Sequence, residues 1–277
     1  RVSDGQLLFL QHLISKMEHL TQLNVVIPAR ASGVGSEMAI SLNNLGSNVT
    51  ICDKDSDALK NFSQNNPEIF CHQADVSKES EVITFFKEIE KKYQTINVLI
   101  NNAGISGPSA NLEDISFSDW KETINTNLDG VFLATKLAIP LLKKNGGSVI
   151  NIGSTSSFLG TPLRSAYSAS KWGLIGLTKT WAMEYGKNNI RFNAICPSSI
   201  NGKRIENVIK KEAKYRGLST KEIKSTYLNQ TSLRTFIDVE EVIGMIIYLL
   251  SPLAKKITGQ MLVIDGHTET LSMMEKD

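Results

Sequence analysis

Apolar residues in this chain gather in short blocks separated by longer stretches of helical spacing. NVVIP (24–28), NVTIC (48–52), EIFCH (68–72), INVLI (96–100), SVINI (148–152), IRFNAIC (190–196) and QMLVID (260–265) are runs of strand length. Between them, residues 36–46, 55–64, 77–93, 128–144, 166–187 and 239–250 carry apolar side chains three and four apart, the spacing of a buried helix face. The helix over 77–93 is expected to open on a Ser cap with Glu81 close behind. Residues 203–229 are charged and helical, with no strand among them. Repeated strand–helix–strand units with strands apolar throughout predict an α/β fold, a doubly wound parallel sheet covered on both faces.

No repeat, low-complexity tract or Pro/Gly-rich linker divides the chain. One domain is therefore expected over 22–268, with 203–229 as a small helical insertion beside the active site and 269–277 as a tail. Residues 1–21 read as an N-terminal extension. The chain starts at Arg1 and Met17 stands shortly before the first strand, so residues 1–16 read either as an appendage or as a short amphipathic helix packed on the domain.

Composition narrows the function classes. Of the 277 residues, 41% are hydrophobic and 21% charged, as in a globule with a full core. A net charge of +2 gives no electrostatic reason to expect nucleic acid or membrane partners. Cys52, Cys71 and Cys196 are too widely spaced for a disulfide or zinc pattern and suit a reducing, cytoplasmic setting. The histidines, at 12, 19, 72 and 267, have no ligand spacing, so no metal is expected.

In doubly wound sheets ligands sit at the carboxyl ends of the strands. After the first strand comes Ser32-Gly33-Val34-Gly35, where glycines and a helix N-terminus suit a pyrophosphate. Asp53, 18 residues after Gly35, is placed to accept from ribose hydroxyls, although an Asp before a helix is also a routine cap. Asn101-Asn102-Ala103-Gly104 follows the fourth strand. Tyr167-Ser168-Ala169-Ser170-Lys171 puts a phenol and an ammonium on one helix face, where the cation favours phenolate. Of the six tyrosines only Tyr167 has Lys at that offset.

These motifs, in this order, resemble those of a classical short-chain dehydrogenase/reductase. The set runs over about residues 22–267: the glycine turn at 29–35, Asp53, Asp75-Val76, NNAG at 101–104, Asn127 in NTNLDG, Ser154, YSASK and the Pro197 turn. The resemblance implies a Rossmann fold and hydride transfer between a carbinol carbon and a nicotinamide. It implies that Tyr167 is the acid/base, that Lys171 lowers its pKa and holds the nicotinamide ribose, and that Ser154 binds the substrate oxygen. Asn127 would hold a water linking Lys171 to solvent. The cofactor would lie on Arg30, Ser32, Gly33, Val34, Gly35, Asp53, Asp75, Val76, Asn102, Ala103, Gly104, Pro197 and Ile200. A homotetramer, or failing that a homodimer, is the implied assembly.

Some edges depart from the family pattern. Pro28 and Ala29 stand where Thr-Gly is usual, Arg30 places a cation at the phosphate edge, Gly153 precedes Ser154 where Ser is common, and Ser198 replaces a Gly. Asp53 disfavours a 2′-phosphate, so NAD is expected ahead of NADP. The competing reading is a catalytically weak or non-enzymatic dinucleotide-binding protein with an eroded glycine loop. Epimerase relatives usually carry a longer C-terminal substrate domain, which this chain lacks. Arg164 and Arg204, near Tyr167 and at the start of the insertion, suit a small polar or anionic hydroxy compound, whereas Arg234 suits a surface or subunit contact equally well.

Overall fold

The computed structural model describes residues 20–29 and 31–271. Seven strands form one sheet in the order β3-β2-β1-β4-β5-β6-β7, and every neighbouring pair is parallel. They are β1 (Asn24–Pro28), β2 (Asn48–Asp53), β3 (Phe70–Gln73), β4 (Val98–Asn101), β5 (Gly147–Ile152), β6 (Ile190–Pro197) and β7 (Gln260–Ile264). The chain runs outward from β1 to β3, then returns to place β4 on the other side of β1. That reversal opens a crevice above the carboxyl ends of β1 and β4.

Helices cover both faces. On one side α1 (Val34–Asn44), α2 (Ser56–Asn65) and α9 (Val239–Leu250) bury Met38, Leu42, Phe62, Val242 and Ile246 with Val25 and Ile27 of β1. On the other, α3 (Glu79–Tyr93), α4 (Phe117–Ile124), α5 (Gly130–Leu142) and α6 (Ser165–Tyr185) follow in chain order, and Phe85, Phe86, Ala138 and Leu142 pack there with Val26 and Phe192. Adjacent residues of β1 thus face opposite cores, which is why its sequence is apolar throughout.

The elements differ from the expectation at four places. Ser77 does not cap α3: its hydroxyl donates to Asp75 Oδ1 at 2.7 Å, and Lys78 takes the N-cap position. The third strand starts two residues late, because Ile69 N donates to Asn66 O and closes a turn through Pro67. The long helix expected through 128–144 is interrupted at its start, where Asn125–Asp129 form a π-helical turn between α4 and α5. The insertion is two helices, α7 (Lys203–Arg216) and α8 (Thr220–Asn229), parted at Gly217. Ser219 begins α8 with a capping box to Glu222. The pair has a small core of its own, with Ile209, Ala213 and Ile223 against Phe236. It is tied across to the loop after β4 by Tyr215, whose hydroxyl donates to Asp114 Oδ2 and accepts from Asn111 N.

Candidate active site

β1 ends at Pro28, which has no N–H to give. Its carbonyl accepts from both Asn102 N (3.3 Å) and Ala103 N (2.8 Å), and donation to β2 resumes with Ala29 N on Cys52 O. The proline therefore costs β1 little, and it fixes the Asn102–Gly104 segment against the first turn. Gly33 begins α1 with φ of 66°, and a Cβ there would meet nothing within 4 Å. The space over this turn is open, and the first N–H groups of α1 face it without side-chain caps. Ser32, Val34 and Gly35 complete the turn; Arg30 lies outside the described residues.

Asp53 is buried at the end of β2 and is not the cap of α2, which is Asp55. Its Oδ2 accepts from Ala31 N at 2.7 Å and its Oδ1 from Asp55 N at 3.1 Å, so it holds the glycine turn as well as facing the crevice. Ala29, Cys52, Asp53, Lys54, Asp75, Val76, Ala103 and Gly104 line one cleft. Asp75 tends to a higher pKa through burial, but hydrogen bonds from Ser77 and the charges of Lys54 and Lys78 bring it below the ordinary carboxylate value. Lys54 was missed in the sequence, although it directly follows Asp53. At the far end, Pro197 closes β6, and Ile200 bridges to Ile237. Ser198 Oγ there is a buried hydroxyl with no partner. An uncapped helix start, an open glycine turn, a carboxylate-lined cleft and this orphan hydroxyl fit an extended dinucleotide along the carboxyl edge of the sheet.

The catalytic candidates converge on the same edge. Ser154 follows β5 and its Oγ accepts from Ser156 N at 3.2 Å. Tyr167 and Lys171 lie on the inward face of α6, and the Lys171 ammonium is 5.7 Å from the Tyr167 ring centroid. Burial pushes the Tyr167 phenol up, but Lys171, Arg204, Arg164 and a hydrogen bond with Ser154 outweigh it and bring the pKa down to about 8. Lys171 is itself lowered, by burial first, with Tyr167 opposing and Arg204 adding to the fall. Its Nζ donates to Ile152 O at 2.6 Å, which anchors it beneath the phenol.

The π-helical turn carries Asn127 inward. Its Oδ1 accepts from Ile105 N at 2.8 Å, and its Nδ2 donates to Ile105 O and to Ser170 Oγ. Both amide hydrogens are thus spent on joining the loop after β4 to α6. A Cβ on Gly104 would lie 3.2 Å from Asn127 Oδ1, so a glycine there lets the two elements approach.

Of the substrate candidates, Arg164 is buried with its guanidinium 4.7 Å from the Tyr167 ring centroid, and Arg204 opens α7 within electrostatic reach of Tyr167 and Lys171. Arg234 instead donates to Asn229 O at the end of α8 and takes no part in the site. Cys196, read in the sequence only as one of three widely spaced cysteines, and Tyr227, not singled out there, also border it: Lys171 acts on Cys196, and Arg164 acts on Tyr227.

Comparisons with known proteins bear on the family and the fold. A family profile described as Enoyl-(Acyl carrier protein) reductase matches residues 28–267. The chain is 31% identical over 249 residues to D-beta-hydroxybutyrate dehydrogenase of Rhizobium meliloti, covering 87% of this chain and 96% of the relative. It is 32% identical over 246 residues to 3-oxoacyl-(acyl-carrier-protein) reductase of Thermotoga maritima, covering 87% and 95%. It is 33% identical over 252 residues to trans-4-hydroxycyclohexanecarboxylate dehydrogenase of Sinomonas cyclohexanicum, covering 87% and 90%. Among solved structures, NAD+-bound xylitol dehydrogenase superposes with a TM-score of 0.84 at 25% identity, over 88% of this chain and 98% of that one. Actinorhodin polyketide ketoreductase with NADPH gives 0.84 at 27%, over 88% and 96%. With its seven-stranded parallel sheet and its Ser154, Tyr167 and Lys171 in place, the chain is an oxidoreductase of the classical short-chain dehydrogenase/reductase family.

Proposed function

We propose that the protein interconverts a secondary alcohol and a ketone with NAD, and with NADP less readily, on a small polar or anionic hydroxy compound. The observation that carries this reading is the geometry of the Tyr167 phenol, with the Lys171 ammonium anchored on Ile152 O 5.7 Å from its ring and Ser154 beside its hydroxyl, which against the effect of burial help bring its pKa down to about 8. A bound nicotinamide supplies hydride acceptance and donation at C4. Gly33, Gly35 and the start of α1 would hold the pyrophosphate, Asp53 the adenosine ribose, Asp75 and Val76 the adenine, and Lys171 the nicotinamide ribose.

In the oxidation direction Tyr167 takes the hydroxyl proton as phenolate, and in reduction it returns one. Ser154 orients the substrate oxygen through its hydroxyl. Lys171, fixed on Ile152 O, stabilises the phenolate without moving. Asn127 would hold the water that links Lys171 to solvent, and its side chain, bonded to Ile105 and Ser170, also fixes the loop after β4 against α6. The intact Ser154–Tyr167–Lys171 set, standing above a glycine turn that Pro28 leaves in order, favours turnover over passive cofactor binding.

Assembly is part of the same reading. Phe132 on α5 and Trp172 and Met183 on α6 are 46%, 51% and 87% exposed, an apolar set suited to burial against a second copy. The test of the function is a cofactor-reduction screen over polyols, hydroxy acids and sugars with NAD and NADP in parallel. Absorbance growth with a secondary alcohol supports the reading, and tight cofactor binding with no turnover of any class rejects it.

A further inference from the structure

Arg164 precedes α6 and is only 9% exposed, yet its charge is unanswered. Its backbone is paired, with Arg164 N donating to Thr161 O and Arg164 O accepting from Ser168 N, but no hydrogen bond or ion pair to its side chain occurs among the described residues, and its Nε is a buried donor without a partner. Its guanidinium lies over the face of the Tyr167 ring. The acid presented by the insertion does not answer it. Glu212 is turned to Arg216 at 3.1 Å and to the Tyr227 hydroxyl at 2.9 Å. Tyr227 is in turn within electrostatic reach of Arg164, so the guanidinium lies between the catalytic tyrosine and the α7–α8 pair.

A buried, unpaired cation is among the costliest features a fold can keep. Such a group is retained where a ligand of opposite charge completes it. The planar fork of a guanidinium matches a carboxylate with two parallel N–H donors. Arg204, exposed at the start of α7, adds a second positive charge that draws anions toward the same opening.

Resting on the oxidoreductase reading above, we infer that Arg164 is the anchor for a substrate carboxylate. The hydroxy compound is then a short hydroxy acid, and the ketone the matching oxo acid. Its anionic end lies on Arg164 beneath α7 and α8, and its reacting carbon stands at Tyr167. The reaction removes a hydride from the carbinol carbon to the nicotinamide and a proton to Tyr167, leaving the carboxylate unchanged. A neutral isostere of the acid would leave the guanidinium desolvated and unpaired, which is the source of discrimination.

The experiment uses the full chain with NAD and NADP and a set of short 2-, 3- and 4-hydroxy acids, each beside its methyl ester and the corresponding diol. The best acid is expected to exceed its ester by about 100-fold in kcat/KM. Arg164→Gln should bring that ratio to within about threefold, and Arg164→Lys, which keeps the charge without the fork, should fall between. A second readout is independent of turnover: malonate, an unreactive dicarboxylate, should raise the melting temperature of the wild type and not of Arg164→Gln. Without malonate the Gln variant should be as stable as the wild type or more so, since an unpaired charge is gone. If Arg164→Gln does not fold, Arg164→Lys carries the same acid-to-ester comparison. Equal turnover of acids and esters, or an acid preference that survives Arg164→Gln, overturns the inference and leaves the oxidoreductase reading standing. Turnover of sugars or polyols but of none of these acids also overturns the inference alone, whereas absence of turnover with every class, sugars and polyols included, with either cofactor, is failure of that reading and takes the inference with it.

Discussion

The Cys196 thiol fills the space in which a side chain at Gly153 would stand. A Cβ built on Gly153 would lie 2.6 Å from Cys196 Sγ and 2.9 Å from Ser157 Oγ. Cys196 lies in β6 and Gly153 directly follows the adjacent parallel strand β5, and Gly153 N donates to Ile195 O at 2.7 Å. The thiol also meets the Ser157 hydroxyl and the Ser154 backbone. The glycine before Ser154, a departure from the family pattern, is thus the counterpart of the cysteine beneath it. Gly153→Ala should push Ser154 out of line and destabilise the fold by roughly 1–3 kcal/mol, as overpacking does. Adding Cys196→Ala should recover most of the lost activity. A double-mutant cycle in melting temperature and kcat measures this, and additive losses would show the two positions to be uncoupled.

Replacing Tyr167 by Phe removes the proton carrier and keeps the ring that Arg164 stacks on. Turnover should fall by about three orders of magnitude or more while cofactor still binds. Steady-state kinetics beside calorimetric cofactor titration check it. Near-normal kcat would remove Tyr167 from its role.

Oxidation needs the phenolate and reduction the phenol. The kcat/KM for alcohol oxidation should therefore rise with pH through about 8 and level off, and that for ketone reduction should fall through the same value. Arg204 is one of the cations that lower this pKa, so Arg204→Gln should move both limbs to higher pH. Profiles unchanged in that variant would place Arg204 outside the site's field.

Asp53→Ala deletes both the acceptor at the ribose and the acceptor for Ala31 N. NAD affinity should drop by about tenfold or more, while NADP, no longer repelled and with Lys54 nearby, should lose less. Titration calorimetry with each cofactor gives the ratio, and an equal loss for both would deny Asp53 a part in the choice.

If the faces of α5 and α6 associate, sedimentation at micromolar concentration should give a homotetramer, or failing that a dimer. Trp172→Glu should lower the assembly state. A monomeric wild type would contradict this.

The sheet was legible because its strands are buried on both faces, so Val25, Val26 and Ile27 need no polar neighbour between them. The candidate catalytic pair was legible because Tyr167 and Lys171 are one helical turn apart. What escaped the sequence depends on contacts between distant segments. Ser77 reads as a cap until Asp75 takes its hydroxyl. Gly153 reads as a neutral change until Cys196, on another strand, is seen beneath it. Pro28 reads as damage until Asn102 and Ala103, brought beside it by β4, are seen to share its carbonyl. The isolation of Arg164 cannot be read locally, since it consists in what Glu212 does instead.

The reversal between β1 and β4 also bears on how the molecule is made. Asn24 N donates to Asn97 Oδ1 at 2.9 Å across 73 residues, and the β2 and β3 units lie between β1 and β4 along the chain. Closing so long a loop precedes any reward from the contacts it brings. The crevice is bounded on one side by the glycine turn and on the other by Asn102–Gly104, so it exists only once β1 and β4 have paired. Refolding from denaturant should regain helical circular dichroism before it regains the power to bind a dinucleotide. Nucleotide added during refolding then captures the chain only at its final step, acting as a clamp on the finished sheet and leaving the earlier rate untouched.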